Sequence, residues 1–154
     1  RYENLVVLRT LSKAHALAGA RCGAVIAAAD IVRLLDAVLP PYALSSPVIA
    51  RAMRTLSSDR LAEYRAFTAQ TIAERERLRA ELADCKMVGQ TWPSQANYLF
   101  VRLHDVAAVK EHLDRAGIAI RTFSKDPSLE GYARITIGTV AENQRLLDAL
   151  RSMN

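Results

Sequence analysis

A chain of 154 residues, 51% hydrophobic and 24% charged, is long enough to bury a core, and no run in it approaches the ~20 apolar residues of a membrane span. Its net charge of +5 is spread among acids, as in Glu74-Arg-Glu-Arg-Leu-Arg-Ala-Glu81, with no basic run carrying stacking aromatics, which argues against a nucleic-acid partner. Cys22 and Cys85 lack CxxC or Cys/His spacing and indicate neither a metal site nor a disulfide framework; reduced thiols in a cytoplasmic protein are expected, and the first residues lack the order of a signal peptide.

In chain order, Leu5–Leu8 and Cys22–Ala28 read as short, largely apolar strands of a buried sheet, with the polar loop between them. Asp30 is expected to cap a helix that ends before Pro40-Pro41, and Ser45-Ser46-Pro47 to open a second over Val48–Thr55. Ser57-Ser58-Asp59 offers a cap for a long helix to about Ala83, with Leu61, Tyr64, Phe67, Ile72, Leu78 and Leu82 as its apolar stripe and Arg and Glu outside. Tyr98–Arg102 reads as a strand and Asp105–Ala116 as a helix closed by Gly117. Two more strands follow, Ile118–Arg121 and Ala133–Ile137. Thr139-x-x-Glu142 is a capping box opening a last helix with Leu146, Leu147 and Leu150 inward. Strand, helix, strand, strand, helix predicts an α/β sandwich of one sheet under helices.

The loop after the first strand carries the chemistry. In Thr10-Leu-Ser-Lys-Ala-His-Ala-Leu-Ala-Gly-Ala-Arg-Cys-Gly23 a lysine emerges at a strand end between hydroxyls and an arginine. A desolvated amine beside another cation becomes nucleophilic, while hydroxyls and a planar guanidinium donate to phosphate oxygens. Further blocks stand in order behind it: Pro41-Tyr-Ala-Leu-Ser45, Trp92-Pro-Ser-Gln-Ala-Asn-Tyr-Leu-Phe-Val-Arg102, Gly117-Ile-Ala-Ile-Arg121 and Tyr132-Ala-Arg-Ile-Thr-Ile-Gly-Thr139.

Together these blocks resemble the second half of the fold-type I, pyridoxal-phosphate-dependent aminotransferases of class II, and are most similar to the histidinol-phosphate aminotransferases among them. The resemblance implies an α/β fold in three parts: residues 1–45 as the end of the cofactor-binding large domain, 46–84 as connecting helices, and 85–154 as a small α/β domain. It makes Lys13 the Schiff-base lysine, with Thr10, Ser12 and Arg21 holding the phosphate of pyridoxal 5'-phosphate. Arg134 corresponds to the arginine that binds the substrate carboxylate, and Arg121 to one near the substrate phosphate. Asn97 is placed near the domain junction, and Tyr42 near a two-fold subunit boundary, both as substrate contacts. His15 departs from the aromatic hydrocarbon common at its position in the family.

The implied activity is amino transfer between histidinol phosphate and 2-oxoglutarate, in histidine biosynthesis, by a homodimer with no metal. The same residues also suit a threonine-phosphate decarboxylase, an aromatic aminotransferase, or a regulatory protein that keeps the domain for ligand binding. The chain opens at Arg1, and no Asp precedes Lys13 to face the pyridine nitrogen. It therefore reads as the C-terminal part of a longer enzyme, expected to be inactive by itself.

The bland readings are a solvated lysine, rim arginines at 21, 121 and 134, and turn hydroxyls at Thr10 and Ser12. His104 and His112 read as surface residues and Trp92 as packing. Gly19 and Gly23 are expected to serve backbone geometry.

Overall fold

The computed structural model describes residues 2–123 and 125–153. The fold is α/β, and the chain forms two compact units, Arg1–Thr68 and Ala69–Asn154.

In the first unit β1 (Val7–Thr10) pairs antiparallel with β2 (Gly23–Ile26), in a register that sets Val7 against Ile26 and Thr10 against Gly23. The first strand thus lies two residues beyond the expected Leu5–Leu8, because pairing continues through Arg9 and Thr10 although both are polar. Gly23 is required sterically: a Cβ there would stand 2.7 Å from the Arg9 carbonyl oxygen. Gly19 has no such constraint, its added Cβ meeting nothing within 4 Å. Two helices follow, α1 (Ala29–Val38) and α2 (Ser46–Thr55). Asp30 does not cap α1; Ala28 holds that position with no side-chain bond, and Asp30 lies in the first turn, where it pairs with Arg33. Pro47 sits in the first turn of α2, where the missing N–H would have no partner in any case. The buried sheet expected of these strands is not formed: among the described residues they pair only with each other, and both are exposed along their length, Leu8 and Ile26 included.

The long helix α3 (Ser58–Leu82) runs from the first unit into the second. Its expected apolar stripe is only partly realised. Leu78 and Leu82 are fully buried, but Phe67 and Ile72 are exposed. The face that buries Leu78 and Leu82 also carries Arg75, three residues earlier, so one arginine expected outside is buried.

The second unit is a four-stranded antiparallel sheet, β3 (Val88–Thr91), β4 (Tyr98–Leu103), β5 (Arg121–Thr122) and β6 (Tyr132–Thr136), in the order β3-β4-β6-β5. Along β4 and β6, Leu99, Val101, Leu103, Ala133 and Ile135 are buried. They pack in one cluster with Leu78 and Leu82 of α3, Val109 and Leu113 of α4 (Val106–Arg115), and Leu146, Leu147 and Leu150 of α5 (Val140–Arg151). Each fully buried leucine contributes about 1.5–3 kcal/mol to this core. The strand expected over Ile118–Arg121 is a two-residue edge pairing at Arg121–Thr122. The preceding residues are drawn into the end of α4, where Gly117 takes φ +71° and the Ile118 N–H reaches the Leu113 carbonyl at 2.8 Å. Strand β3 was not foreseen.

Both ends of α5 are fixed by side chains. The capping box forms as expected, with the Thr139 Oγ1 accepting from the Glu142 N–H and the Glu142 carboxylate accepting from the Thr139 N–H. His112, expected on the surface, is half-buried and bridges α4 to the end of α5, its Nε2 lying 3.0 Å from both the Ala149 carbonyl and the Ser152 hydroxyl.

A polar network joins α3 to α5. Buried Asn143 donates to the Glu74 carboxylate at 3.0 Å and to the Gly138 carbonyl at 3.1 Å, and accepts from the Gly138 N–H at 2.9 Å. Hydrogen bonds from Arg77 and then Asn143 hold the Glu74 carboxyl below the usual carboxylate range; those from Arg151 and then Arg77 do the same for Glu81. Folded-state values below the ordinary 4.5 mean that this stabilisation is complete above pH 4.5 and is lost as pH falls through the lowered values. The melting temperature of the protein should therefore drop on acidification below pH 4.5, and Glu74→Gln should flatten that drop. An unchanged pH profile in Glu74→Gln would remove Glu74 from the account.

Candidate active site

The loop between β1 and β2 continues the hairpin in register. The Leu11 N–H donates to the Cys22 carbonyl at 3.1 Å, so the same register brings Ser12 level with Arg21. Thr10 Oγ1 donates to Ser12 Oγ at 2.8 Å and accepts from the Ser12 N–H at 3.1 Å, which sets two hydroxyls side by side at the strand end. The chain then turns at once: the Ala16 N–H reaches the Lys13 carbonyl at 2.9 Å, and the Leu17 N–H closes on the Leu11 carbonyl at 3.0 Å. Leu17 is buried and anchors the loop, while Lys13 stays exposed at its head. Among the described residues the Lys13 amine has no ion pair or hydrogen bond.

Two residues of this loop, Ala16 at φ +52° and Arg21 at φ +51°, take the left-handed conformation without being glycine. Each costs roughly 1–2 kcal/mol relative to ordinary backbone. At Arg21 this conformation follows a 3₁₀ turn, Ala18–Ala20, and leaves the guanidinium exposed, with Nη1 donating to the Ala18 carbonyl at 3.3 Å. Thr10, Ser12, Lys13 and Arg21 therefore stand at one end of one hairpin: two hydroxyls, an amine and a guanidinium. That donor set fits pyridoxal phosphate, an aldehyde for the amine and a phosphate for the others. His15, in the same loop, is edge-on to Tyr64 with ring centres 5.7 Å apart, its Nδ1 buried without a hydrogen-bond partner among the described residues.

The second unit presents a different constellation. Alternation along β4 and β6 sends the core residues to one face and Tyr98, Phe100, Tyr132 and Arg134 to the other. Arg134 is the cross-strand partner of both Phe100 on β4 and Arg121 on β5, so the two arginines expected to meet substrate stand directly opposite each other. Each guanidinium lies over an aromatic ring, Arg134 over Tyr98 at 4.9 Å and Arg121 over Phe123 at 5.8 Å. The Arg134 Nε is buried and has no hydrogen-bond partner among the described residues. Trp92 packs against Phe100 and Tyr132, which stack with centres 5.1 Å apart; it is packing, as expected.

Asn97 is not brought into the arginine row. It precedes β4 in the alternate position, its carbonyl accepts the Ile137 N–H at 2.9 Å, and its side chain is exposed at the end of the sheet. Tyr42, in the first unit, is almost wholly exposed and holds φ +59°, strained for a tyrosine. Sequence reasoning also missed Arg75, whose place on a buried helix face is hidden in a run of alternating charges.

The described residues thus form two groups of cationic and hydroxyl side chains, Thr10, Ser12, Lys13 and Arg21 at the end of the hairpin and Arg121 with Arg134 on the sheet. The profile of the family described as aminotransferase class I and II matches residues 1–150, and the chain belongs to that family. It is 46% identical over 151 residues to a histidinol-phosphate aminotransferase of Escherichia coli, covering 98% of this chain and 42% of that protein. The chain thus spans about two fifths of the length of the curated relatives it matches. The crystal structure of a histidinol-phosphate aminotransferase from Sinorhizobium meliloti in complex with pyridoxal-5'-phosphate superposes with a TM-score of 0.77 at 26% identity, over 99% of this chain and 42% of the other. That of L-threonine-O-3-phosphate decarboxylase from Porphyromonas gingivalis gives 0.78 at 26% identity, over 98% and 47%.

Proposed function

We propose that the enzyme to which this chain belongs is a pyridoxal-phosphate-dependent aminotransferase that exchanges an amino group between histidinol phosphate and 2-oxoglutarate. The observation that carries the reading is the Arg121–Arg134 pair. Like charges directly opposite on neighbouring strands repel, and nothing among the described residues neutralises these two. A ligand with more than one negative charge relieves that repulsion, and a guanidinium fork matches carboxylate or phosphate oxygens in pairs. The similarity to a histidinol-phosphate aminotransferase favours that substrate.

In this reading Thr10, Ser12 and Arg21 would hold the cofactor phosphate and so keep the cofactor within reach of Lys13. When bound, the cofactor supplies the electron sink for bond breaking at the amino acid's α-carbon. Lys13 anchors it covalently, and the Lys13 Nζ, once free, takes and returns the α-proton as base and then acid. Arg134 holds the carboxylate of glutamate or 2-oxoglutarate, and the phosphate when histidinol phosphate is bound; Arg121 adds a contact to that phosphate. Asn97 and Tyr42 complete the substrate contacts in a two-fold homodimer, where a partner subunit would stabilise the strained, exposed Tyr42. The 154-residue chain by itself is inactive, and the enzyme works in the cytoplasm.

The test uses the intact holoenzyme with histidinol phosphate, aromatic amino acids and threonine phosphate. The proposal requires 2-oxoglutarate-dependent consumption of histidinol phosphate with the highest kcat/KM of the three. Carbon dioxide release from threonine phosphate as the dominant reaction would replace the reading with that of a decarboxylase.

A further inference from the structure

The core-facing side of α3 holds one charged residue that packing does not call for. Arg75 shares its helix face with Leu78 and Leu82, and its side chain is 8% exposed. An apolar side chain of similar volume would fill that position without the penalty of burying a charge. The penalty is offset because each of its three nitrogens has an acceptor. Nε and Nη2 both lie 2.9 Å from Glu76 Oε1, and Nη1 donates across 21 residues of sequence to the Ala96 carbonyl at 3.2 Å.

Ala96 is where the approach to β4 is fixed. Its N–H donates to Ser94 Oγ at 3.0 Å, and the same hydroxyl donates to the Tyr98 carbonyl at 2.7 Å. One residue on, the Asn97 carbonyl takes the Ile137 N–H. The backbone that sets Tyr98 is thus held locally by Ser94, from the residue after β6 by Ile137, and from the helix by Arg75. Tyr98 in turn carries the Arg134 guanidinium on its ring.

The geometry points to Arg75 as a positioning residue for the anion subsite: through the Ala96 carbonyl it fixes Tyr98, and with it the aim of Arg134. The inference rests on the proposed role of Arg134 in substrate binding. A misplacement of the order of an ångström in a group that orients substrate can cost up to about a hundredfold in rate, so a partial loosening of Arg134 is expected to cost about five- to tenfold.

The test is a double-mutant cycle in the intact holoenzyme, with Arg75→Met, which keeps the bulk and removes the donors, in wild-type and Arg134→Ala backgrounds. In the wild-type background Arg75→Met should raise KM for both glutamate and histidinol phosphate about five- to tenfold, leave the cofactor absorbance unchanged, and change kcat by less than twofold. In the Arg134→Ala background the same substitution should change KM by less than twofold. Equal losses in both backgrounds, or no change of KM in either, would overturn the positioning role. If Arg134→Ala alone leaves KM unchanged, the subsite reading falls and the inference with it. Should Arg75→Met fail to fold, Arg75→Lys decides in the same cycle. It keeps the charge and one donor, and its smaller rise in KM should also vanish when Arg134 is absent; a rise that persists counts against the role.

Discussion

Replacing Lys13 with alanine is expected to lower the transamination rate of the intact enzyme by about 10²–10⁴-fold, the contribution of a positioned general acid–base, with a further loss from the missing covalent anchor. The geometry makes this residue hard to replace. The turn closed by Ala16 and Leu17 holds Lys13 at the head of the loop, and its amine is tied up by no other group among the described residues. Steady-state rates with histidinol phosphate and 2-oxoglutarate check the loss, and the cofactor absorbance of the variant should change together with the rate. A variant retaining more than a tenth of the wild-type rate would show that another group moves the proton.

The next largest effect concerns the arginine pair. Arg134→Ala should weaken glutamate and histidinol phosphate alike, because the carboxylate of the one and the phosphate of the other are both assigned to it. Arg121→Ala should weaken histidinol phosphate far more than glutamate. Loss of one charge-assisted hydrogen bond is worth about 1.5–3 kcal/mol, or roughly ten- to hundredfold in kcat/KM. Arg134→Lys should recover little, since a point charge does not reproduce two parallel donors. The Tyr98 ring at 4.9 Å also favours the flat guanidinium over an ammonium at this site. Kinetic constants for each variant with both substrates decide the matter. Equal losses on Arg121→Ala would remove the phosphate assignment and leave an aminotransferase with a general carboxylate site.

The features legible in the sequence are those whose physics is local. The Thr139/Glu142 capping box and the Gly117 helix end each need only a few neighbouring residues. The hydroxyls, amine and arginine of the Lys13 loop could be read together because they fall within a dozen residues, whereas the hairpin that carries them could not. What stayed hidden depends on partners far along the chain. Strand β3, Val88-Gly-Gln-Thr91, has no apolar alternation of its own and exists through pairing with β4. The edge strand at Arg121 pairs with only two residues of β6, and Ile118 before it is held by the end of α4.

Arg75 gives the sharpest instance. In the run Glu74-Arg-Glu-Arg it looks like one more solvated cation, and its buried place depends on an acceptor 21 residues away, the Ala96 carbonyl, as well as on Glu76 beside it. The stripe on α3 misled for a related reason. Helical periodicity identifies a common face but not how far along the helix that face is covered, and on α3 Leu78 and Leu82 are covered whereas Phe67 and Ile72 are not.

The central claim is that this family member carries its cofactor on Lys13. Borohydride reduction of the intact holoenzyme followed by peptide mapping tests it most directly. The account predicts a pyridoxyl label on the peptide containing Lys13, and label on Lys86, Lys110 or Lys125 instead would contradict it.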